Sequence, residues 1–365
     1  AGKSLVAYLA IVNRLVCDGG KALYIVPLRA LAREKYEDLQ EFKELGLKIG
    51  LSTGDLDESD VRLSKYDIIV CTSEKADSLL RHGLRWLDKI RVLVIDEIHL
   101  IHDSTRGPTL EVLIAQFKAL NPATQLIALS ATIKNAVELA DWLGGKLIQS
   151  DWRPVVLKEG VFFQNQIKYN DGSTKSILGD AKQALETLVE DSLRDGGQTL
   201  IFVNNRKSTV SLSNRLSNSV AKLLTDGEKK DLKKLASLMK KEQTEIVSIE
   251  QSLVGSVEKG VAFHHAGLQS SQRRIVEQGF KDRRIKCIVA TPTLAAGVNI
   301  PARRVIIRDL WRYDGNFGMT PIPILEYKQQ AGRAGRPRYD SVGEAITLAK
   351  DRNQRDQIFY NIIIA

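Results

Sequence analysis

The sequence has only three cysteines in 365 residues, Cys17, Cys71 and Cys287. None falls in a C-x-x-C pair, which argues against a zinc site and against a disulfide framework. Cys71 and Cys287 lie in strand-like apolar runs and Cys17 in an apolar helical stretch. All three are therefore expected to be inert core residues, in a reducing, cytoplasmic setting. Long hydrophobic runs are also missing, and no apolar stretch reaches the roughly 18 residues of a membrane helix. The first residues lack the basic, apolar and small-residue zones of a secretory leader. There is no tandem repeat of short period and no low-complexity tail.

What is present is an ordinary globular composition, 43% apolar and 27% charged. A chain of 365 residues is long for one core and favours two domains. The formal net charge is +9, which favours a polyanionic partner.

Short apolar runs alternate with amphipathic segments. Strands are expected at Ala22–Val26, Asp67–Cys71, Arg91–Ile95 and Gln125–Leu129, with helices over 5–17, 29–43, 74–82, 108–120 and 134–143. Trp152-Arg153-Pro154 interrupts the pattern, because proline disfavours helix at the residue before it. The alternation then resumes, with strands at Thr199–Val203, Val261–His264, Lys286–Ala290 and Arg304–Ile307. Helices are expected over 180–194, 206–218, 269–281 and 324–333. This order indicates an α/β fold with two parallel sheets, 1–152 and 153–365. Segment 219–258 is a lysine-rich insertion with Leu232, Leu235 and Leu238 at helical spacing. It reads as a solvated amphipathic hairpin of helices or as a basic ridge against nucleic acid. Asn170-Asp171-Gly172-Ser173-Thr174 is rich in turn formers.

Chemistry-bearing residues fall at the ends of these runs. Asp96-Glu97-Ile98-His99 closes Val92–Ile95, and Ser130-Ala131-Thr132 follows Leu126–Leu129. A carboxylate pair suits a magnesium ion, which takes oxygen ligands, and a water that needs a base. Ala1-Gly2-Lys3-Ser4 matches the end of a phosphate-binding loop, with Lys3 for the β- and γ-phosphates and Ser4 for magnesium. Gln329 to Pro337 reads QQAGRAGRP, and its Arg333 and Arg336 have the permanent charge and planar fork that suit a phosphate.

These segments, in this order along the chain, resemble the superfamily 2 helicases of the DExH type. The resemblance runs from Ala1 to about Ala349 and implies two tandem RecA-like domains with an interdomain ATP cleft. It also implies that the natural protein is longer and that this chain is a fragment. In the resembled family Asp96 holds Mg2+ with Ser4, Glu97 activates the water, and Gly2 and Lys3 bind ATP. His99 links the ATP site to the domain interface, although an ordinary partly buried histidine also fits the sequence. Gln329 senses the γ-phosphate and Arg333 and Arg336 are arginine fingers. His102 carries no motif and reads as structural.

The nucleic-acid segments follow the same resemblance. Pro27–Ala32 matches the family's motif Ia, with Arg29 at a helix start. Thr53-Gly54-Asp55 and Thr72-Ser73-Glu74-Lys75 match the next two contact segments, and Thr72 or Ser73 also suits a plain helix cap. Phe202–Arg206 resembles motif IV through Asn204 and Arg206, and the segment with His265 follows it. His264 and His265 would point to opposite faces of a strand and lack a third metal ligand. Ala290–Pro301 resembles motif V of the Ski-like group. There Thr291 and Thr293 contact backbone phosphates and Gly297 and Asn299 face the nucleotide. Trp311–Pro321 carries Asp314-Gly315 between aromatics, a hairpin signal. Tyr313 and Phe317 at its tip suit base stacking. In the Ski-like group a hairpin here splits base pairs, and the whole resembles the archaeal Hjm-type DNA repair helicases. The expected function is a monomeric ATP-dependent 3′-to-5′ DNA helicase or translocase on single-stranded or forked DNA, in repair or replication restart. An RNA helicase of the same group, and an ATP-gated clamp or remodeller that does not unwind, are the alternatives.

Overall fold

Strands buried on both faces form the centre of each half of the chain. The computed structural model describes residues 2–54, 60–103, 105–131, 133, 135–150, 152–241, 248–294, 300–314 and 318–364. Asp55, Thr132, Gly297, Asn299 and Phe317, all named above, lie outside the described residues. The chain divides into two compact units, Ala1–Trp152 and Arg153–Ala365.

The first unit runs α1 (Lys3–Asp18), β1 (Lys21–Val26), α2 (Arg29–Leu39), β2 (Ile49–Ser52), β3 (Ile68–Thr72), α3 (Ser73–Arg81), β4 (Ile90–Ile95), α4 (Gly107–Leu120), β5 (Gln125–Ala128) and α5 (Ala136–Leu143). The strands pair in parallel in the order β2-β3-β1-β4-β5. Every residue of β1 and β3 is buried, as near-continuous apolar runs require when both faces are covered. Alternate strand residues enter two separate cores. Leu23, Ile25, Ile69, Leu93 and Ile95 pack with residues of α3 and α4. Tyr24, Val26, Val70 and Val94 pack with residues of α1 and α2. The short strand β2 is absent from the expectations, because Gly50 and Ser52 leave only two aliphatic residues in it.

The second unit begins with β6 (Val156–Phe163), β7 (Gln166–Tyr169), β8 (Thr174–Ser176), α6 (Ala184–Arg194), β9 (Thr199–Phe202), α7 (Arg206–Leu223), α8 (Asp226–Lys241) and α9 (Ser248–Val257). It continues with β10 (Val261–His264), α10 (Ser270–Lys281), β11 (Cys287–Ala290), β12 (Arg304–Ile307), β13 (Trp311–Asp314), β14 (Gly318–Pro321), α11 (Ile324–Ala331), β15 (Val342–Leu348) and α12 (Arg352–Ile358). The sheet order is β10-β11-β9-β12-β15-β6-β7-β8. Pairing is parallel from β10 to β6 and antiparallel from β6 to β8. The strands β6, β7, β8 and β15 are additions to the expected set. Their Lys158, Glu159, Lys168, Lys175 and Glu344 mask the periodicity. The turn-rich segment 170–174 joins β7 to β8.

The cysteine expectation is corrected in part. Cys17 is exposed, on the outer side of α1, whereas Cys71 and Cys287 are buried. Burial pushes the Cys71 thiol up to about 12, so it is inert. The lysine-rich insertion forms two amphipathic helices, as its spacing implies, with Leu232, Leu235, Ala236 and Met239 of α8 and Leu253, Val254 and Val257 of α9 in the core of the unit. Its apolar stripe runs through Ala236 and Met239, which turns Leu238 out to 52% exposure.

One buried ion network lies at the amino ends of the central strands. Arg304 is fully buried and donates to Glu344 from Nε at 2.9 Å, to Asp191 from Nη2 at 2.7 Å and to the Leu188 carbonyl from Nη1 at 2.7 Å. Tyr169 donates to the other oxygen of Glu344. Removing one partner of such a group leaves uncompensated charge in the core. Arg304→Ala is expected to lower stability by about 3–5 kcal/mol. Urea unfolding of the variant should show a lower midpoint at an unchanged slope.

Candidate functional site

In the first unit the polar residues gather where the strands end. Asp96 follows β4, and its backbone N–H donates to the Ile25 carbonyl at 2.8 Å, extending the ladder by one step. Its carboxylate is 8% exposed and accepts from the Tyr24 hydroxyl at 3.1 Å and the Glu97 N–H at 3.0 Å. Burial and then the charge of Glu97 push its pKa up, while Lys35 and these hydrogen bonds oppose the rise. Glu97 itself has φ 53, the left-handed conformation that non-glycine residues rarely adopt. The turn lets Ile98–His102 leave the strand as a short 3-10 helix.

Lys3 opens α1 directly after Gly2, whose φ of 80 suits glycine. The Lys3 ammonium donates to the Ser130 carbonyl at 2.6 Å, which joins the start of α1 to the segment after β5. Ser4 Oγ accepts from Lys35 at 3.1 Å. Lys35 and Tyr24 are site residues that the motifs do not name. Lys35 had a legible signal: it lies one helical turn from Leu31 and Leu39, on the apolar face of α2.

His99 is 2% exposed and its Nδ1 accepts from the Ala131 N–H at 3.3 Å. The proton of the neutral ring is therefore on Nε2. Glu97 Oε2 stands 3.3 Å from the same Nδ1, but both atoms are acceptors and share no hydrogen bond. Glu97 Oε2 is thus a buried carboxylate oxygen without a partner. Burial, with Lys3 and then His102 adding repulsion, pushes the His99 pKa down to about 4.

The Ser4 hydroxyl and the Asp96 carboxylate are hard oxygen donors, Ser4 bonded to the Lys35 ammonium and Asp96 to the Tyr24 hydroxyl. That donor set, beside the orphaned Glu97 oxygen, fits a magnesium ion. Among the described residues no three His, Cys, Asp or Glu side chains form a metal cage of their own. The set therefore suits an ion that arrives with further oxygens from a nucleotide.

The neighbouring strands β1, β3 and β2 end in the residues expected at nucleic acid. Arg29 is exposed at the first turn of α2. A Cβ on Gly54 would sit 3.3 Å from three guanidinium atoms of Arg29, so glycine is what lets the two segments meet. Thr53 is partly exposed beside it. Thr72 is 5% exposed and caps α3 by accepting from the Lys75 N–H at 3.4 Å. Its hydroxyl forms the helix cap that the sequence also suited.

In the second unit Asn204, His265 and Thr291 stand at the carboxyl ends of β9, β10 and β11. Thr291 and Thr293 hydroxyls lie 2.9 Å apart, Thr293 exposed. Arg206 is exposed and reaches within 3.3 Å of a Cβ built on Gly267. Two calls change. His265 is 1% exposed, stacks on Phe263 and accepts from the Gly267 N–H at 3.1 Å. It is a buried support beneath Arg206 and no surface contact. Asn204 gives its amide N–H to the Trp311 carbonyl and its backbone N–H to Asp309 at 3.0 Å, so it anchors the base of the β13–β14 hairpin. That hairpin pairs Tyr313 with Met319 and Asp314 with Gly318. Tyr313 is 75% exposed and Trp311 49%.

The opposite, amino end of this sheet holds Gln329, Arg333 and Arg336. Ala302, just before β12, bridges Ala334. Arg336 is 6% exposed, pairs with both oxygens of Asp340 at 2.8 Å, and donates to Gln198 at 3.1 Å. All three guanidinium nitrogens are committed within the unit, so the arginine-finger expectation is corrected for Arg336. Arg333 and Gln329 are half-buried. Arg153, unmarked by any motif, donates to the carbonyls of Gly332 and Ala334 on either side of Arg333, at 3.3 Å each.

Comparison with known proteins agrees with this arrangement. Residues 1–140 match the DEAD/DEAH box helicase family and residues 238–338 the helicase conserved C-terminal domain. The ATP-dependent DNA helicase Hel308 of Methanocella arvoryzae is 48% identical over 371 residues, covering 100% of this chain and 50% of the relative. Those of Pyrococcus horikoshii and Caldivirga maquilingensis are 50% and 42% identical, covering 96% and 98% of this chain and 47% of each relative. The chain spans about half the length of the curated relatives it matches. No helix among the described residues is long and apolar enough to cross a membrane.

The buried imidazole has a pH consequence. Its pKa is lowered from 6.5 to about 4, so between those values the unfolded chain takes up a proton that the folded chain refuses. The contribution is complete above pH 6.5 and lost as pH falls toward 4, on the order of 3 kcal/mol. His99→Gln should flatten that acid-side loss in urea titrations run across this range.

Proposed function

The chain belongs to the superfamily 2 DExH helicases of the Ski-like group, and we propose from this that the protein is an ATP-driven 3′-to-5′ DNA helicase. It acts on single-stranded and forked DNA in repair or replication restart, as a cytoplasmic monomer. The observation that carries the reading is the joined group of Lys3, Ser4, Asp96, Glu97, His99 and Ser130 at the strand ends of the first unit. The choice of DNA follows the relatives, which are named as DNA helicases.

In this reading Gly2 and Lys3 bind the ATP phosphates, and Ser4 and Asp96 hold Mg2+. When bound, that ion supplies Lewis-acid stabilisation of the phosphoryl oxygens. Glu97 Oε2, buried and without a hydrogen bond, is the acceptor for the attacking water's proton. His99, neutral and bonded to Ala131, fixes the turn that carries Glu97. Arg333 supplies the transition-state charge, with Gln329 at the same phosphate. Arg336 holds the loop of Arg333 through Asp340. Gly297 and Asn299 face the nucleotide. Arg29, Thr53, Gly54, Arg206, Thr291 and Thr293 grip the DNA backbone, which gives little sequence preference. Tyr313, with Phe317, stacks on a base at the fork.

Two measurements test it. Glu97→Gln should keep ATP binding and lose at least a hundredfold in DNA-stimulated hydrolysis, because an amide does not accept the water's proton. Turnover near wild type would remove Glu97 from this role. Tyr313→Ala should spare DNA-stimulated ATPase and slow separation of a 3′-tailed duplex. One stacked aromatic is worth about 1–3 kcal/mol, enough to offset a base-pair step of about 1.4 kcal/mol. Hydrolysis without any strand separation in the unaltered protein would mean a translocating clamp instead.

A further inference from the structure

The least expected group in the first unit is the ammonium of Lys35. It lies on the face of α2 that also buries Leu31, Ala32 and Leu39, and is itself 7% exposed. A leucine or methionine would fill that place without the cost of a buried charge. The ammonium instead reaches 3.1 Å from Ser4 Oγ and 3.2 Å from Glu34 Oε1, and its field acts on Asp96. Ser4 and Asp96 are the two groups assigned to magnesium above. Tyr24 bonds Asp96 and Lys35 bonds Ser4, so Lys35, Tyr24, Ser4 and Asp96 form one cluster in which only Ser4 is half-buried.

We propose that Lys35 is a positioning residue of the ATP site, a resident cation that stands in for the metal until a magnesium nucleotide enters. The proposal rests on the ATPase reading. The ammonium holds the Ser4 hydroxyl in place and balances the Asp96 carboxylate. When the ion enters, two positive centres compete for the same oxygens. The ammonium then turns to Glu34, with which it is already paired. Lys35 thus reduces the dependence of nucleotide binding on the metal. It supports the phosphates when the ion is missing and opposes the ion when it comes.

The test is the affinity for a fluorescent, non-hydrolysable ATP analogue, measured once with EDTA and once with Mn2+. The ratio of the two dissociation constants is the readout. Damage to the fold weakens both affinities together and leaves the ratio unchanged. In Lys35→Met the ratio should rise about tenfold, whereas Lys35→Arg, which keeps the charge, should stay within twofold of wild type. Glu34→Gln deprives the displaced ammonium of its partner and should lower the ratio several-fold. This second variant also decides the question if Lys35→Met does not fold. An unchanged ratio in Lys35→Met or, failing that, in Glu34→Gln overturns the proposal. Wild-type protein that binds no analogue under either condition would overturn the ATPase reading itself, a separate result.

Discussion

Parallel pairing between strands covered on both faces is the constraint on which the rest depends. A strand such as β1 or β3 has no exposed face on which to carry a polar side chain. Chemistry is therefore confined to strand ends, where the chain leaves the ladder and backbone N–H groups become available. Asp96 shows this directly, because its N–H still completes the ladder while its carboxylate faces out of it. The five strands of the first unit deliver Arg29, Thr53, Thr72, Asp96 and Ser130 to one edge.

The second unit uses both ends of its sheet. Asn204, Thr291 and the hairpin stand at the carboxyl ends, and the loop of Arg333 stands at the amino ends beside Ala302. The loop at the amino end is fixed from two sides, by Arg153 on its carbonyls and by Asp340 on Arg336. Arg336 belongs to that scaffold, which a motif alone does not reveal, since the same arginine fork suits a phosphate and a carboxylate equally.

Much of this was legible in the sequence. Aliphatic runs marked eight of the strands, and Asp96, Glu97, Lys3 and Ser130 do converge as their positions at run ends imply. Unread strands were β6, β7 and β8, which carry charges at partly exposed positions, β15, whose buried Glu344 interrupts an apolar run, and the very short β2. Site residues escaped for a different reason. Tyr24 sits in an apolar run and Lys35 in an apolar helix stripe, so each passes for core or surface until its partner is known. His265 and Asn204 erred the other way, because a polar residue after a strand serves a neighbouring loop as readily as a ligand.

Glu97 has the last consequence. At φ 53 the backbone there suits glycine or asparagine, and a glutamate costs about 1 kcal/mol or more. The fold tolerates a locally unfavourable residue at the position to which we assign the acceptor of the water's proton. Any programme that selects variants for thermal resilience alone would be drawn to this position among the first. On that assignment it would return a sturdier protein with an empty catalytic post, which makes resilience and turnover opposing objectives at a single codon.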